Sequence, residues 1–146
     1  MDLFGVFQIS SAGMSVEQTK LAVAAANLAN ARSSRAADGT LYQPLEVIVQ
    51  STAATSYADA EASLRAQSLP RPVVQTVEPT QAPPRLVYDP GHPDADERGF
   101  VAMPAVDTLS TMLDLMTVSR SYEANLRAFD ITRHLIEQTI QMGSRR

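Results

Sequence analysis

The last quarter of the chain constrains its fold most, because residues 107–142 form one uninterrupted helical pattern without Pro or Gly. About ten turns of helix would extend roughly 54 Å. Pro104 closes off the segment before it, and Asp107 or Thr108 can cap the first turn by accepting a hydrogen bond from an unpaired backbone N–H. Gly143 follows where a left-handed glycine commonly ends a helix. A single helix of this length needs a partner to cover its apolar side.

That apolar side is a seam at seven-residue spacing, formed by Leu115, Tyr122, Phe129 and Ile136, with Val118, Leu126 and Ile140 on neighbouring turns. Glu123 and Arg127 form an i,i+4 pair on the opposite, solvated face. The repeat is almost long enough to predict a coiled coil. An ordinary bundle helix is the plain alternative. Either way, a second helix or another copy of the chain must cover the seam.

Residues 3–31 are the second helix candidate. Seven-residue spacing recurs at Phe7, Met14, Leu21 and Leu28, whereas the neighbouring row is weak: Leu3, Ser11, Gln18 and Ala25. Gly5 and Gly13 weaken the first half, each by up to about 1 kcal/mol. This half-filled seam predicts a helix that depends on a partner. Two such helices at opposite ends favour an antiparallel pair within the chain, but they equally permit pairing between neighbouring subunits.

The middle of the chain alternates between extended segments and Pro-rich turns. Residues 43–50 and 72–78 are predicted strands, and residues 85–89 and 100–103 are shorter extended pieces. We therefore expect a mainly α fold with a small β insert, in which two long terminal helices form a coiled-coil-like pair. The expected parts are an N-terminal helix in 1–34, a β-rich insert in 35–104 with a mobile loop at 51–70, and a C-terminal helix in 105–146.

Composition excludes several classes of function. The net charge of −4 argues against nucleic acid as a partner. The absence of cysteine excludes disulfides, thiolate zinc sites and cysteine nucleophiles. No apolar run approaches the 18 residues or so of a membrane span. Asp2 stands where a Sec signal peptide would be positively charged, so no cleavable Sec signal is expected.

Possible oxygen and nitrogen ligands cluster in one loop, at Asp89, His92, Asp94, Asp96 and Glu97. A hard cation could use such groups, and a metal-dependent enzyme is therefore one hypothesis. The spacing fits no EF-hand, however, and Asp residues in a Pro-rich loop commonly make turns to backbone N–H groups. We favour the turns and expect no catalytic, cofactor-binding or metal-binding residues, and no cofactor.

Two pairs of polar residues lie near the apolar seams: Asn27 with Asn30, and Tyr122 with Asn125. Exposed polar positions are one interpretation. The other is that Asn30 caps the helix end and Asn125 sets the register of helix pairing through hydrogen bonds. The sequence leaves both open.

Three motifs together resemble the axial proteins of the bacterial flagellum, the rod and hook family. They are Asn-Leu-Ala-Asn-Ala at 27–31, the segment 83–104 with Tyr-Asp-Pro-Gly-His-Pro at its centre, and Ser-Arg-Ser-Tyr-Glu-Ala-Asn at 119–125. The resemblance covers well over half of the chain and is closest to proximal-rod members. The middle of the chain departs most from that family, above all at residues 51–70.

The resemblance implies a non-enzymatic structural subunit of the proximal rod, which assembles through its terminal helices into the torque-transmitting axial tube. It implies residence in the flagellar basal body and exit by the flagellar type III export apparatus. The implied partners are the chain itself, other rod proteins, the rod–MS-ring junction protein and the MS ring. A soluble coiled-coil adaptor or export cofactor is the alternative.

The assembly interface is expected to use both helices. The residues expected there are Phe7, Met14, Leu21, Leu28, Asn30, Leu115, Tyr122, Asn125, Leu126, Phe129, Ile136 and Ile140.

Overall fold

The computed structural model describes residues 3–34, 39–52, 61 and 69–144. Within them, the elements in chain order are α1 (Leu3–Asn30), β1 (Leu45–Ser51), β2 (Pro72–Pro79), β3 (Arg85–Tyr88), β4 (Phe100–Met103) and α2 (Thr108–Ser144). The predicted fold, mainly helical with small pairs of strands between two terminal helices, is confirmed. Most of the predicted mobile loop at 51–70 lies outside the described residues, although Ser51 itself ends β1.

The start of α2 is the predicted one. The Asp107 carboxylate accepts a hydrogen bond from the Leu109 backbone N–H at 3.0 Å, and the Asp107 carbonyl accepts one from the Thr111 N–H at 2.9 Å. Asp107 therefore caps the helix by supplying acceptors to N–H groups that have no partner earlier in the helix.

The predicted end of α2 at Gly143 is wrong, because the helix continues through this residue to Ser144. Among the described glycines, positive φ is found at Gly39 and Gly99 and not at Gly143. A glycine permits the left-handed conformation without requiring it. Apart from its chain neighbours and the backbone of its own helix, no described atom lies within 4 Å of the place where a Cβ of Gly143 would stand.

The described strands form two antiparallel pairs, β1 with β2 and β3 with β4. In the second pair Arg85 lies opposite Met103 and Tyr88 opposite Phe100. In the first pair, backbone hydrogen bonds join opposite strand ends, from Thr80 N–H to the Pro44 carbonyl and from Thr52 N–H to the Arg71 carbonyl. Both pairs therefore connect strands that are close in sequence.

The chain divides into two compact units, and each contains part of both helices. The first comprises Met1–Thr19, Val49–Gln75 and Val118–Arg146, and the second comprises Lys20–Ile48 and Thr76–Thr117. In the second unit Val101 and Pro104 are fully buried, with Ala31 and Val106 nearly so. In the first unit, the buried side chains among the described residues are the apolar Val16 and the polar Ser10 and Thr132. Small side chains thus fill both interiors.

The turn between β3 and β4 depends on a glycine. Gly99 has a φ of +81°, and a Cβ on it would lie 3.0 Å from Cε2 of Tyr88 and 3.2 Å from Cβ of Pro90. The backbone closes this turn through hydrogen bonds from Asp89 N–H to the Gly99 carbonyl and from Gly99 N–H to the Asp96 carbonyl, both 2.9 Å. A side chain at this position is therefore opposed by both backbone conformation and space.

We expect Gly99→Ala to lower the free energy of unfolding by about 2–3 kcal/mol, because it adds steric overlap to the cost of a positive φ. Gly39→Ala is the matched control. Gly39 has a φ of +82° with nothing within 4 Å of the new methyl group, so only the conformational cost of about 1 kcal/mol applies. Urea unfolding of both variants gives the comparison, and equal losses would contradict the packing role of Gly99.

Candidate functional site

The two terminal helices contact each other within the first unit. The rings of Phe7 and Phe129 lie 4.1 Å apart between centroids, and Gln18 donates a hydrogen bond from Nε2 to the Tyr122 hydroxyl at 3.4 Å. Since residue numbers rise along α1 as they fall along α2, the helices run antiparallel. These seam residues therefore pack together inside one chain.

The helices approach each other closely at Gly13. Gly13 is buried, and a Cβ on it would lie 2.9 Å from Nδ2 of Asn125 and 3.3 Å from its Oδ1. The Asn125 amide thus occupies the space that any other residue at position 13 would fill. Ser10 and Val16, each three positions away on the same side of α1, are also buried. Gly13 weakens α1 as an isolated helix, but it also provides the space into which the Asn125 side chain of α2 fits.

Most residues expected at an assembly interface are half-buried, namely Phe7, Met14, Leu21, Leu28, Asn30, Leu115, Tyr122, Asn125, Phe129 and Ile136. Leu126 and Ile140 are exposed. Asn30 donates from its Nδ2 to the Ala26 carbonyl at 2.9 Å, within the last turn of α1. That these twelve residues form contacts between subunits remains a prediction.

Sequence periodicity missed a second apolar surface on α2, which we call the outer face. Its exposed side chains are Leu109, Met112, Leu113, Met116, Ile131, Leu135 and Met142. Ile131 follows Phe129 by two positions, or about 200° around the helix, so within the first unit this face points away from the Phe7–Phe129 contact. Ile131 is 62% exposed and Met116 61%. The signal was present, because Leu109, Leu113 and Met116 have i, i+4, i+7 spacing.

Asn27 joins α1 to the β insert within the second unit. Its Nδ2 donates to the Leu45 carbonyl at 2.8 Å, and its Oδ1 accepts from the Leu45 N–H at 2.8 Å. The side-chain amide therefore bonds the first residue of β1 as a neighbouring strand would. The Tyr42 hydroxyl donates to the same Oδ1 at 2.9 Å.

The sequence left open whether Asn27 is an exposed polar position, and the structure shows that it is not. It is half-buried with three hydrogen bonds. The Asn-Leu-Ala-Asn motif was the available signal, but nothing in the sequence places Leu45 opposite it. Burial raises the pKa of the Tyr42 hydroxyl, because removal from water disfavours the charged phenolate.

The acidic loop makes local turns, which confirms the favoured interpretation. Asp89 Oδ1 accepts from Gly91 N–H at 3.2 Å, and Asp96 Oδ1 accepts from the N–H groups of Arg98 and Phe100 at 2.9 and 2.8 Å. Ser34 donates to the Asp94 carboxylate at 2.7 Å, which links this loop to the residues after α1. Among the described residues no group of three His, Asp or Glu side chains is placed to hold a metal ion.

Across the part of the chain that the structure describes, neither helix combines the length and apolar character that crossing a membrane requires.

Comparison with known proteins gives consistent matches. A family profile described as "Flagellar basal body rod FlgEFG protein C-terminal" matches residues 97–142, which include β4 and nearly all of α2. The chain is 36% identical to the flagellar basal-body rod protein FlgC of Salmonella typhimurium, covering 98% of this chain and 99% of that one. Identity to the protein of the same name is 35% in Aquifex aeolicus, covering 97% of each chain. In Bacillus subtilis it is 29%, covering 98% and 99%.

We expect Asn27→Ala to lower the free energy of unfolding by about 2–4 kcal/mol, since it removes three hydrogen bonds and leaves Leu45 unpaired. Asn30→Ala removes the single hydrogen bond to Ala26 and should cost about 1 kcal/mol. Asn27→Asp keeps the acceptor but loses the donor, so an intermediate loss is expected. Urea unfolding measures all three, and equal effects of the two alanine variants would contradict the joining role of Asn27.

We expect Gly13→Ala and Asn125→Ala to be coupled. The new methyl group displaces the Asn125 amide, which offsets the roughly 1 kcal/mol that alanine gains over glycine within a helix. In the Asn125→Ala background the clash is absent, so Gly13→Ala should stabilise the chain. A double-mutant cycle by urea unfolding is expected to give a coupling of about 1 kcal/mol. Additive effects would show that the helices do not approach closely here.

Proposed function

Since the chain belongs to the family of the flagellar basal-body rod protein FlgC, and is thus a structural subunit of the basal-body rod, we propose that its terminal helices carry assembly into the rod. Rod subunits are structural proteins, and the expectation that this chain is not an enzyme is confirmed by its family. Nearly end-to-end matches to rod proteins also favour a rod subunit over a soluble adaptor.

The observation that carries this proposal is the division of α2 into two apolar sides. One side is occupied within the chain, through Phe129 against Phe7 and Asn125 against Gly13. The outer face remains exposed in two stretches, 109–116 in the second unit, where Leu109 is 68% exposed, and 131–142 in the first, where Met142 is 68% exposed. The exposed charged residues Arg120, Glu123 and Arg127 lie between the two stretches. Exposed apolar patches rimmed by polar residues commonly mark protein–protein interaction sites. The second cover must come from another subunit.

The two sides of α2 therefore have different roles. Contacts among Phe7, Phe129 and Asn125 hold the two terminal helices of one chain together as a unit. The outer face then meets neighbouring subunits, burying large apolar side chains such as Ile131 and Leu135, each worth about 1.5–3 kcal/mol when fully covered. If the outer face of each copy meets a different surface of the next copy, the contact is head-to-tail and extends into a helical array when the rotation between copies does not close a ring.

We place this array in the proximal part of the rod, as the axial tube that transmits torque. Its neighbours there would be other rod proteins, the rod–MS-ring junction protein and the MS ring, and the flagellar type III export apparatus would handle the chain in transit. These assignments follow from the family resemblance of the three motifs at 27–31, 83–104 and 119–125.

The proposal is tested by placing a charge on the outer face. Leu135→Asp should reduce incorporation into basal bodies at least tenfold, because a carboxylate buried without a partner costs several kcal/mol. Since Leu135 is 44% exposed in the single chain, the free energy of unfolding should fall by no more than about 1–2 kcal/mol, from lost partial burial and the poorer helix propensity of Asp. Quantitative mass spectrometry of purified basal bodies and urea unfolding give the two values.

Two further variants make the result specific. Gln81→Asp puts the same charge on an exposed position outside α2 and should incorporate normally. Phe129→Asp instead buries a charge against Phe7 and should unfold the helix pair in the free chain. Normal incorporation of Leu135→Asp would refute the outer face as an assembly surface.

A further inference from the structure

A cleft in the first unit combines apolar walls with a cation. It has a volume of about 290 Å³ and is lined by Phe7, Gln8, Ser11, Ala12 and Arg71. Small-molecule sites usually occupy roughly 300–1,000 Å³ and enclose most of the ligand. This cleft is at the lower limit of that range, so it suits one large side chain better than a cofactor.

Two hydrogen bonds with Thr52 fix the backbone of Arg71, the basic residue that lines the cleft. Arg71 donates from its N–H to the Thr52 hydroxyl at 3.0 Å, and its carbonyl accepts from the Thr52 N–H at 3.0 Å. The residue itself is exposed. A guanidinium beside an apolar wall binds a group that is aromatic or aliphatic in its body and carries a carboxylate nearby.

The second unit presents an aromatic side chain of the matching kind. Tyr88 is 66% exposed, yet its ring is held by an edge-to-face contact with Phe100 at 5.3 Å between centroids. The close approach of Gly99 also limits where the ring can move. An exposed aromatic ring that is already fixed loses little conformational entropy on binding, and such residues commonly anchor protein interfaces.

Charge complementarity favours a second copy of this chain as the partner. Tyr88 is followed by Asp89, and Glu97 lies exposed in the turn that returns to β4. Seven acidic and only two basic residues lie between 76 and 117. The acidic turn around Tyr88 thus offers carboxylates to a site whose charged lining residue is Arg71.

We propose that Tyr88 of one copy inserts into the cleft of a second copy, with the Arg71 guanidinium facing the carboxylates of Asp89 and Glu97. Because the inserted side chain and the cleft are different surfaces, each copy can donate one and receive another. Such a head-to-tail contact extends a helical array when the rotation between successive copies does not close a ring. The inference rests on the proposed function, since copies must lie side by side in the rod for the contact to form.

Cysteine cross-linking tests the contact directly, because the natural chain contains no cysteine. Gln8→Cys lines the cleft, and Glu97→Cys lies in the acidic turn. Two singly substituted chains expressed together should give cross-linked dimers in purified basal bodies on oxidation. Either chain alone should give none. The doubly substituted chain should give a ladder beyond dimers, because each copy carries both positions.

Each other outcome overturns the contact. Incorporated chains that do not cross-link would leave the rod role intact and refute this contact alone. A disulfide within one chain would show that the cleft is filled by its own hairpin, and a cross-link to a different protein would show that the occupant is not a second copy. If the unsubstituted chain itself is missing from basal bodies, the proposed function fails together with this inference.

A charge exchange keeps the test valid if the cysteine variants assemble poorly. Arg71→Glu and Glu97→Arg should each reduce incorporation about tenfold or more, as expected for a central interface charge, and the double variant should restore most of it. Arg32→Glu alters an exposed arginine that follows α1, outside both the cleft and the outer face, and serves as the control, with less than a twofold change expected. Failure of the double variant to recover would refute the pairing.

Discussion

The structure depends on the close approach of the two terminal helices at Gly13 and Asn125. Without a Cβ at position 13, the Asn125 amide can lie directly against α1. This brings Phe7 onto Phe129 and Gln18 within hydrogen-bonding distance of Tyr122. The outer face of α2 follows from it as well, because the side of the helix turned toward α1 determines which apolar residues remain exposed.

Polar groups attach the β insert to α1 and to the residues that follow it. Asn27 bonds both backbone groups of Leu45, and Ser34 bonds Asp94 in the acidic loop. Few large apolar side chains are buried, and the fully buried ones are Val101 and Pro104 among the described residues. With so small an apolar interior, directional hydrogen bonds fix where the strands begin, since apolar burial alone would not specify a single register.

Much of the fold could be predicted from sequence, because it depends on local rules. Uninterrupted periodicity predicts α2, and a side-chain acceptor at Asp107 predicts its start. The end at Gly143 could not be predicted, since glycine permits several conformations and tertiary contacts decide among them. Asp89 and Asp96 were correctly expected to make turns, because such turns involve neighbours only two to four residues away.

The candidate site was less predictable because its important pairs are distant in sequence. Gly13 appears unfavourable until Asn125, more than a hundred residues later, is placed against it. Asn27 gave no indication of its partner Leu45 for the same reason. The sequence analysis looked for a single apolar seam and therefore missed the outer face. Ile131 and Leu135 alternate along the chain with Phe129 and Ile136, which belong to the half-buried row.

The central claim is that the two terminal helices of one chain pair with each other in the assembled rod. It is tested most directly by placing cysteines at Phe7 and Phe129, whose rings are in contact, in the otherwise cysteine-free chain. Purified basal bodies are then treated with a short bismaleimide, and the products are separated by mass. The account predicts cross-links within single chains, detected as linked peptides from material of monomer mass. Cross-links that join two chains, with little intrachain product, would contradict it.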